Sequence, residues 1–382
     1  MYEIKLTISL FLLIFLTNCG TKVPPALPQF EAGKKAKNII LMIGDGMGLA
    51  QISAAMYSNR NKLALEQFPV IGFHKQHSFS DLITDSAAGA TAFACGIKTY
   101  NNAIGVNPDT VAVRSIFEEV EENGLATGLV VTSSVVHATP AAFYAHQPLR
   151  VFYEDIALDL VKQDIDFIVG GGKAYFDQRK NDDRNLLLEL RDKNYEVHDF
   201  LQQPITTINL NPSRNFIYFT SDFQPLSVES GRNYLAFSSL LGADFLSKHS
   251  EKGFFLLIEG SQIDWRGHAN EGKNMIKETL DFNNTIKKVL EFASKRDDTL
   301  VIVTADHETG GMALQPGSKM GKIKTEFTTN NHTASLVPIF AFGPSAELFG
   351  GIYENTAIHS KMKKALGLSP HTGAVPTNAL SK

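Results

Sequence analysis

The sequence predicts an α/β protein, a three-layer sandwich with a mainly parallel central sheet. Three observations predict it. Continuous apolar, partly β-branched runs recur without polar alternation, the pattern of strands buried on both faces of a parallel sheet. Helical segments alternate with those runs. Glycine- or acid-bearing turns follow the runs, where open α/β sheets place their ligands. Composition agrees: 382 residues, 43% apolar and 20% charged, suffice for a large core. A formal net charge of −4, with no basic run interleaved with aromatics, argues against nucleic acid as a specific partner.

Residues 1–19 read as an export signal, with Lys5 as positive flank and Leu6 to Leu16 as an apolar stretch too short to span a bilayer. The ending Thr17-Asn18-Cys19-Gly20 resembles a bacterial lipoprotein signal, in which Cys19 becomes the acylated first residue. A plain secretory signal cleaved nearby is the alternative. The expected location is outside the cytoplasm, periplasmic or anchored at the outer membrane through Cys19. Residues 20–36, rich in Pro and Lys, read as a solvated linker, 37–368 as one domain and 369–382 as a tail.

Asn38 to Ile43 is the first buried strand and runs into Gly44-Asp45-Gly46-Met47-Gly48. Leu82-Ile83-Thr84-Asp85-Ser86 then leads into small residues of good helix propensity. Asp85 stands at the N-cap position and Ser86 at the first turn, where a hydroxyl faces bare N–H groups and the positive end of the helix dipole. Lys98 to Val106 forms a polar loop over the site, and Cys95 reads as a small buried hydrophobe. A helix over Val113 to Asn123 precedes the strand Ala126 to Val131, which feeds His137-Ala138-Thr139-Pro140. Ala142 to His146 reads as a short helix, with Arg150 beyond it.

Asp166 to Gly172 reads as strand and tight turn, and residues 173–250 as peripheral structure with a helix ending near Lys248. The strand Phe254 to Ile258 ends in Glu259, followed by Asp264 and His268, whose i, i+4 spacing puts both on one helical face in a chelating arrangement for Zn²⁺. A long helix, Met275 to Ser294, leads to the strand Thr299 to Thr304 and then Asp306-His307. Asn331-His332-Thr333 precedes the last strand, Val337 to Phe342, and a final helix near Ile358 to Leu366.

Each acid or histidine alone is compatible with a satisfied polar turn. Their convergence, four of five clusters directly after apolar strands, argues for a site. The donor mix suits Zn²⁺ (Asp and His) beside a harder, oxygen-liganded cation. A hydroxyl next to such metals needs no histidine base.

These motifs resemble those of the alkaline phosphatases, from about Asn38 to Leu368: Gly44-Asp45-Gly46-Met47-Gly48, Thr84-Asp85-Ser86-Ala87-Ala88, Ala138-Thr139-Pro140, Glu259-Gly260 with Asp264 and His268, Thr304-Ala305-Asp306-His307, and His332-Thr333. The resemblance implies hydrolysis of phosphate monoesters through a phosphoserine on Ser86, with two Zn²⁺ and one Mg²⁺, in a homodimer. One Zn²⁺ is implied on Asp264, His268 and His332, the other on Asp45, Asp306 and His307 with Ser86. Mg²⁺ is implied on Asp45, Thr139 and Glu259, with Arg150 gripping phosphate oxygens bidentately and Asp85 and Trp265 also among the substrate-binding residues.

The sequence also departs from the family. His137 stands where some members carry an aspartate, and imidazole suits Zn²⁺ better than Mg²⁺. Trp265 replaces a lysine or histidine found near the phosphate in other members, which implies weaker phosphate binding and faster product release. The short segment from His307 to His332 implies a reduced lid or crown insertion. Competing readings are a phosphodiesterase of the same superfamily, against which Arg150 argues, and a sulfatase, whose Cys/Ser-x-Pro-x-Arg context Ser86-Ala87-Ala88 lacks. A non-catalytic metal- or phosphate-binding lipoprotein has no need of Ser86.

Overall fold

The computed structural model describes residues 30–31 and 33–368; Cys19 with the export signal, most of the linker and the tail 369–382 lie outside the described residues. The first half of the chain runs β1 (Asn38–Gly44), α1 (Leu49–Ser58), β2 (Val70–Lys75), α2 (Ser86–Cys95), α3 (Ile116–Glu122), β3 (Ala126–Ser134), α4 (Ala138–Ala141), α5 (Tyr153–Lys162) and β4 (Phe167–Gly171). There follow α6 (Ala174–Asp177), α7 (Leu186–Asp192), β5 (Tyr195–Asp199), β6 (Asn215–Phe219), α8 (Leu235–His249), β7 (Phe254–Gly260), α9 (Gln262–His268) and α10 (Gly272–Ala293). The last part holds β8 (Thr299–Thr304), β9 (Glu308–Thr309), β10 (Met312–Leu314), β11 (Thr325–Phe327), β12 (His332–Thr333), β13 (Val337–Phe342), β14 (Gly351–Glu354) and α11 (Ala357–Leu366).

Ten strands make one sheet in the order β14-β2-β13-β8-β1-β7-β3-β4-β6-β5. Only β13 runs antiparallel to its neighbours, β2 and β8. Alternate residues of each central strand face opposite layers. Ile39, Leu41 and Ile43 of β1 join Phe255 and Leu257 of β7 against α2, α3, α5 and α11. Ile40 and Met42 join Leu256 and Ile258 against α1, α8 and α10. Each such side chain, taken fully out of water, contributes roughly 1.5–3 kcal/mol. The predicted three-layer sandwich is therefore the observed one, because strands covered on both faces must be apolar throughout.

The registers place the chemistry. Ile43 of β1 lies beside Glu259 of β7 and Thr304 of β8, so the C-terminal ends of β8, β1, β7 and β3 come level with one another. Asp45, Glu259, Asp306 and His137 leave the sheet at that edge.

Several boundaries differ from those expected. The helix predicted from Val113 starts at Ile116, because Ser115 and Glu118 form a reciprocal capping box (Glu118 N to Ser115 Oγ 3.3 Å, Ser115 N to Glu118 Oε2 2.7 Å). The short helix expected over Ala142 to His146 is instead α4, one turn earlier, and residues 142–144 continue as turns. Pro140 is tolerated there because it falls in the first turn, where no intrahelical donor is needed. Residues 173–250, read as peripheral, supply β5, β6 and α8, and Leu246 of α8 is core. The linker is docked at its end: Ala36 is buried and Phe30 packs edge-on against Phe342 at 5.4 Å. The segment between His307 and His332 is compact, with a small β10–β11 hairpin.

Candidate active site

α2 is the element on which the site is built. Its sequence, SAAGATAFAC, is buried over all ten residues, so it presents small side chains to the layers around it rather than one apolar stripe. Gly89 keeps that approach close, since a Cβ there would lie 3.2 Å from Asp306 Cβ, a tight contact. Asp85 caps the helix as its sequence position predicts, accepting from Ala88 N at 3.0 Å, and Gly96 ends it in the left-handed conformation. Ser86 is thereby held at the N-terminus, buried, with its hydroxyl 3.2 Å from His307 Nε2 and 3.5 Å from Asp45 Oδ2.

Around that hydroxyl the predicted residues converge. His307 Nε2 lies 3.4 Å from Asp45 Oδ1 and 3.3 Å from Asp306 Oδ2, and its ring stacks on His332 with centroids 3.5 Å apart. Asp264 Oδ1 lies 3.4 Å from both His268 Nε2 and His332 Nε2. On the far side of Asp45, His137 and Glu259 close a third group. Three clusters result: Asp264–His268–His332, Asp45–Asp264–His307 and Asp45–His137–Glu259, the ligand atoms of each within 4.8 Å of one another. In the second cluster Asp264 stands where the sequence suggested Asp306, although Asp306 still faces His307.

The donor set fits cations. His268 Nδ1 lies 2.6 Å from the Asn330 carbonyl and His332 Nδ1 2.8 Å from the Thr84 carbonyl, so in the neutral rings both Nδ1 atoms donate and both Nε2 lone pairs turn inward. Those two lone pairs face each other at 3.0 Å, an arrangement a cation between them satisfies. Asp45 Oδ1, Asp306 Oδ2, Glu259 Oε1 and Thr139 Oγ1 are buried with no hydrogen-bond partner, the condition of ligands rather than of structural polar groups.

Electrostatics says the same. Burial, then the neighbouring Asp306 and Asp264 carboxylates, pushes Asp45 well above the ordinary carboxylate range. Burial raises Glu259 to about 7 and, with Asp264 beside it, Asp306 to about 6. Asp264 goes the other way: burial opposes ionisation, but positive charge at its histidine neighbours, first through protonated His332 Nε2, holds it below its usual value, as a cation in the same place would. Burial, followed by repulsion from Arg150, pushes His137 down to about 3, so this imidazole is neutral. Buried carboxylates at this density are stable as anions only beside positive charge.

The anion-binding side is arranged by Asp85. Arg150 Nη1 donates to Asp85 Oδ2 at 2.9 Å, and its Nη2 lies 3.4 Å from His137 Nε2. The backbone is fixed as well, Arg150 N donating to Asn102 O at 2.8 Å and Asp85 N to Asn101 Oδ1 at 3.2 Å, so the polar loop does border the site. Trp265 sits half-buried, its ring edge-on to His137 at 5.8 Å.

Sequence reasoning missed the supports. Thr309 Oγ1 donates to Asp264 Oδ1 at 2.5 Å and lies 3.2 Å from His307 Nδ1, tying two clusters together. Ser133 Oγ holds Glu259 Oε2 at 3.2 Å. Gly46 N and His307 N donate to Asp306 Oδ1 at 3.3 and 3.1 Å. A hydroxyl two residues after an Asp-His pair was the available signal for Thr309.

Comparison with known proteins agrees. The alkaline phosphatase family model matches residues 36–326 and 320–368. Alkaline phosphatase 3 of Bacillus subtilis is 32% identical over 437 residues, covering 89% of this chain and 93% of the relative. That alignment is longer than the chain itself, so the relative carries insertions this protein lacks. The alkaline phosphatase of the Antarctic bacterium TAB5 superposes with a TM-score of 0.84 at 43% identity, covering 88% of this chain and 99% of the other. A variant of that enzyme with one histidine replaced by aspartate is described with Mg bound in its M3 site. Fold, clustered ligands and matched sequence coincide: the chain belongs to the alkaline phosphatase family and is a phosphoric monoester hydrolase.

Proposed function

We propose that the protein hydrolyses phosphate monoesters to alcohol and inorganic phosphate through a phosphoserine on Ser86, at a site that takes two Zn²⁺ and one Mg²⁺. One observation carries the reading: Ser86 Oγ stands between the Asp45 and His307 ligand atoms at a helix N-terminus. Asp264, His268 and His332 would hold one Zn²⁺, and Asp45, Asp306 and His307 the other. Asp45, Thr139 and Glu259 would hold Mg²⁺, with His137 beside them. When bound, such ions lower the pKa of a coordinated hydroxyl or water and stabilise developing negative charge on oxygen.

The residues do the positioning. Ser86 Oγ, its proton lost, attacks phosphorus as the ester oxygen leaves, and water then attacks the phosphoserine to release phosphate. Arg150 donates two parallel N–H bonds to phosphate oxygens, and its contact with Asp85 sets the plane of the guanidinium before substrate arrives. Neutral His137 keeps its Nε2 toward Arg150 rather than adding charge. That a histidine-to-aspartate variant of the TAB5 enzyme is described with Mg supports His137 as the residue that tunes the third site. Trp265 offers one N–H and no charge, so phosphate leaves faster than from a lysine-bearing site, and Trp265→Lys is expected to strengthen inhibition by phosphate.

The protein is also proposed to be exported, anchored through Cys19 and dimeric. Leu82, Ile83, Leu149, Val151 and Phe152 are exposed on loops flanking Asp85 and Arg150, and a second copy would cover them.

The test is hydrolysis of p-nitrophenyl phosphate against bis(p-nitrophenyl) phosphate, with Zn²⁺ and Mg²⁺ supplied, for wild type and Ser86→Ala. Preference for the monoester, lost in Ser86→Ala, is expected. Preference for the bis-ester would mean a diesterase, and metal uptake without turnover a binding protein.

A further inference from the structure

Glu308 follows His307 directly and takes no part in the site as described, yet its carboxylate is 4% exposed and fully engaged. Its Oε1 accepts from Gln51 Nε2 at 2.7 Å and Met312 N at 3.3 Å, and its Oε2 from Gly311 N at 3.1 Å and from Thr333 Oγ1. One side chain thus joins α1, the turn between β9 and β10, and β12. The sequence has made room for it: a Cβ on Gly48 would overlap Glu308 Cγ, which accounts for the last glycine of Gly44-Asp45-Gly46-Met47-Gly48. Burying a carboxylate among neutral donors is costly compared with an apolar residue of the same size, so the carboxylate is there for what it holds.

What it holds is the strand of a metal ligand. β12 consists of His332 and Thr333 alone, paired with β9 in the register His332↔Thr309 and Thr333↔Glu308. The residues around it, Asn331, Ala334, Ser335 and Leu336, are exposed. Gln76 Nε2 grips its backbone at the Thr333 and Ser335 carbonyls. The inward side-chain anchor is Thr333 Oγ1 on Glu308. Both rings have an Nδ1 partner, Thr84 O for His332 and Thr309 Oγ1 for His307, but His307 is fully buried whereas His332 is half-buried on a two-residue strand.

We propose that Glu308 is a positioning residue for the zinc site formed by Asp264, His268 and His332, acting through Thr333 to fix the backbone of His332. The proposal rests on the two-zinc reading above. It predicts an asymmetric defect, in which the His332 site weakens and the His307 site does not.

The experiment titrates metal-free protein with Zn²⁺ against a chromophoric chelator, comparing wild type with Glu308→Gln and with Thr333→Val, which exchanges the anchoring hydroxyl for a methyl group of similar size. A buried ion pair elsewhere, Arg232–Glu278 at 2.6 Å, provides a control for lost stability in Glu278→Gln. Wild type is expected to take up two tight equivalents. Both anchor variants are expected to keep one, with the other weakened about 10- to 100-fold, while Glu278→Gln unfolds more readily yet binds both as wild type does. Unchanged affinity for both equivalents in the anchor variants overturns the proposal, as does equal weakening of both. If Glu308→Gln does not fold, Thr333→Val decides. Absence of zinc uptake by wild type would instead refute the metal reading itself.

Discussion

Asp85 performs two tasks with two oxygens, and two substitutions separate them. Oδ1 caps α2 through Ala88 N at 3.0 Å, while Oδ2 receives Arg150 Nη1 at 2.9 Å. Asparagine is as good an N-cap as aspartate, so Asp85→Asn keeps the cap and loses the charge-assisted bond. Alanine loses both. The cap is worth about 1 kcal/mol, so Asp85→Ala is expected to fall below Asp85→Asn in stability by that amount. For a domain of this size that difference is a shift of about 1–2 °C in thermal midpoint. The bond to the guanidinium is worth about 1.5–3 kcal/mol, little reduced by screening because both side chains are less than one-fifth exposed. If that energy serves to hold Arg150 in its phosphate-binding plane, kcat/KM for p-nitrophenyl phosphate falls roughly 10- to 100-fold in both variants. KM and the inhibition constant for phosphate rise together, since Arg150 grips the phosphate of substrate and product alike. Steady-state kinetics with phosphate inhibition, beside thermal unfolding, measure all of this. Asp85→Asn with unchanged KM and unchanged phosphate inhibition would refute the positioning argument.

Three further outcomes follow from other parts of the structure. Gly46→Ala forces a non-glycine residue to φ +71 and brings a Cβ to 2.6 Å from Thr309 Oγ1 and 2.9 Å from Asp264 Cα, so zinc uptake falls while the strands behind it stay folded, as metal titration beside circular dichroism checks. His146 donates toward Glu118 (3.2 Å); burial opposes the charge, but Glu118 wins and raises the imidazole pKa. Its contribution to stability is therefore complete below the unfolded value of 6.5 and disappears as pH rises through the raised folded value. His146→Gln flattens that decline, which denaturant midpoints on either side of the transition detect. Burial pushes the Cys95 thiol well up, so in a chain beginning after Cys19 a thiol reagent reacts only once the protein unfolds.

How much of this was legible depended on whether burial was two-sided. β1, β7 and β8 are covered on both faces and therefore read as unbroken apolar runs, and the acids at their ends, Asp45, Glu259 and Asp306, are where the sequence placed them. Asp264 and His268 were paired by helical spacing alone, and both contribute to one cluster. β5 alternates buried and half-buried residues at the sheet edge, and β2 mixes buried, half-buried and exposed residues, so neither carried the unbroken apolar signal of a central strand. The bond from Arg150 to Asp85 was hidden for another reason: it spans 65 residues, and no local period links its partners. Thr309 and Glu308 looked like ordinary turn residues after Asp306-His307, and their roles exist only through contacts with Asp264, α1 and β12.

The central claim is that Ser86 itself carries the phosphoryl group. Zinc-loaded protein mixed with a phosphate monoester, quenched in acid and digested is predicted to yield the Ser86 peptide heavier by one phosphoryl group, and the same treatment of Ser86→Ala to yield none. Hydrolysis by wild type with that peptide unmodified at every quench time, and with turnover retained in Ser86→Ala, would contradict the account.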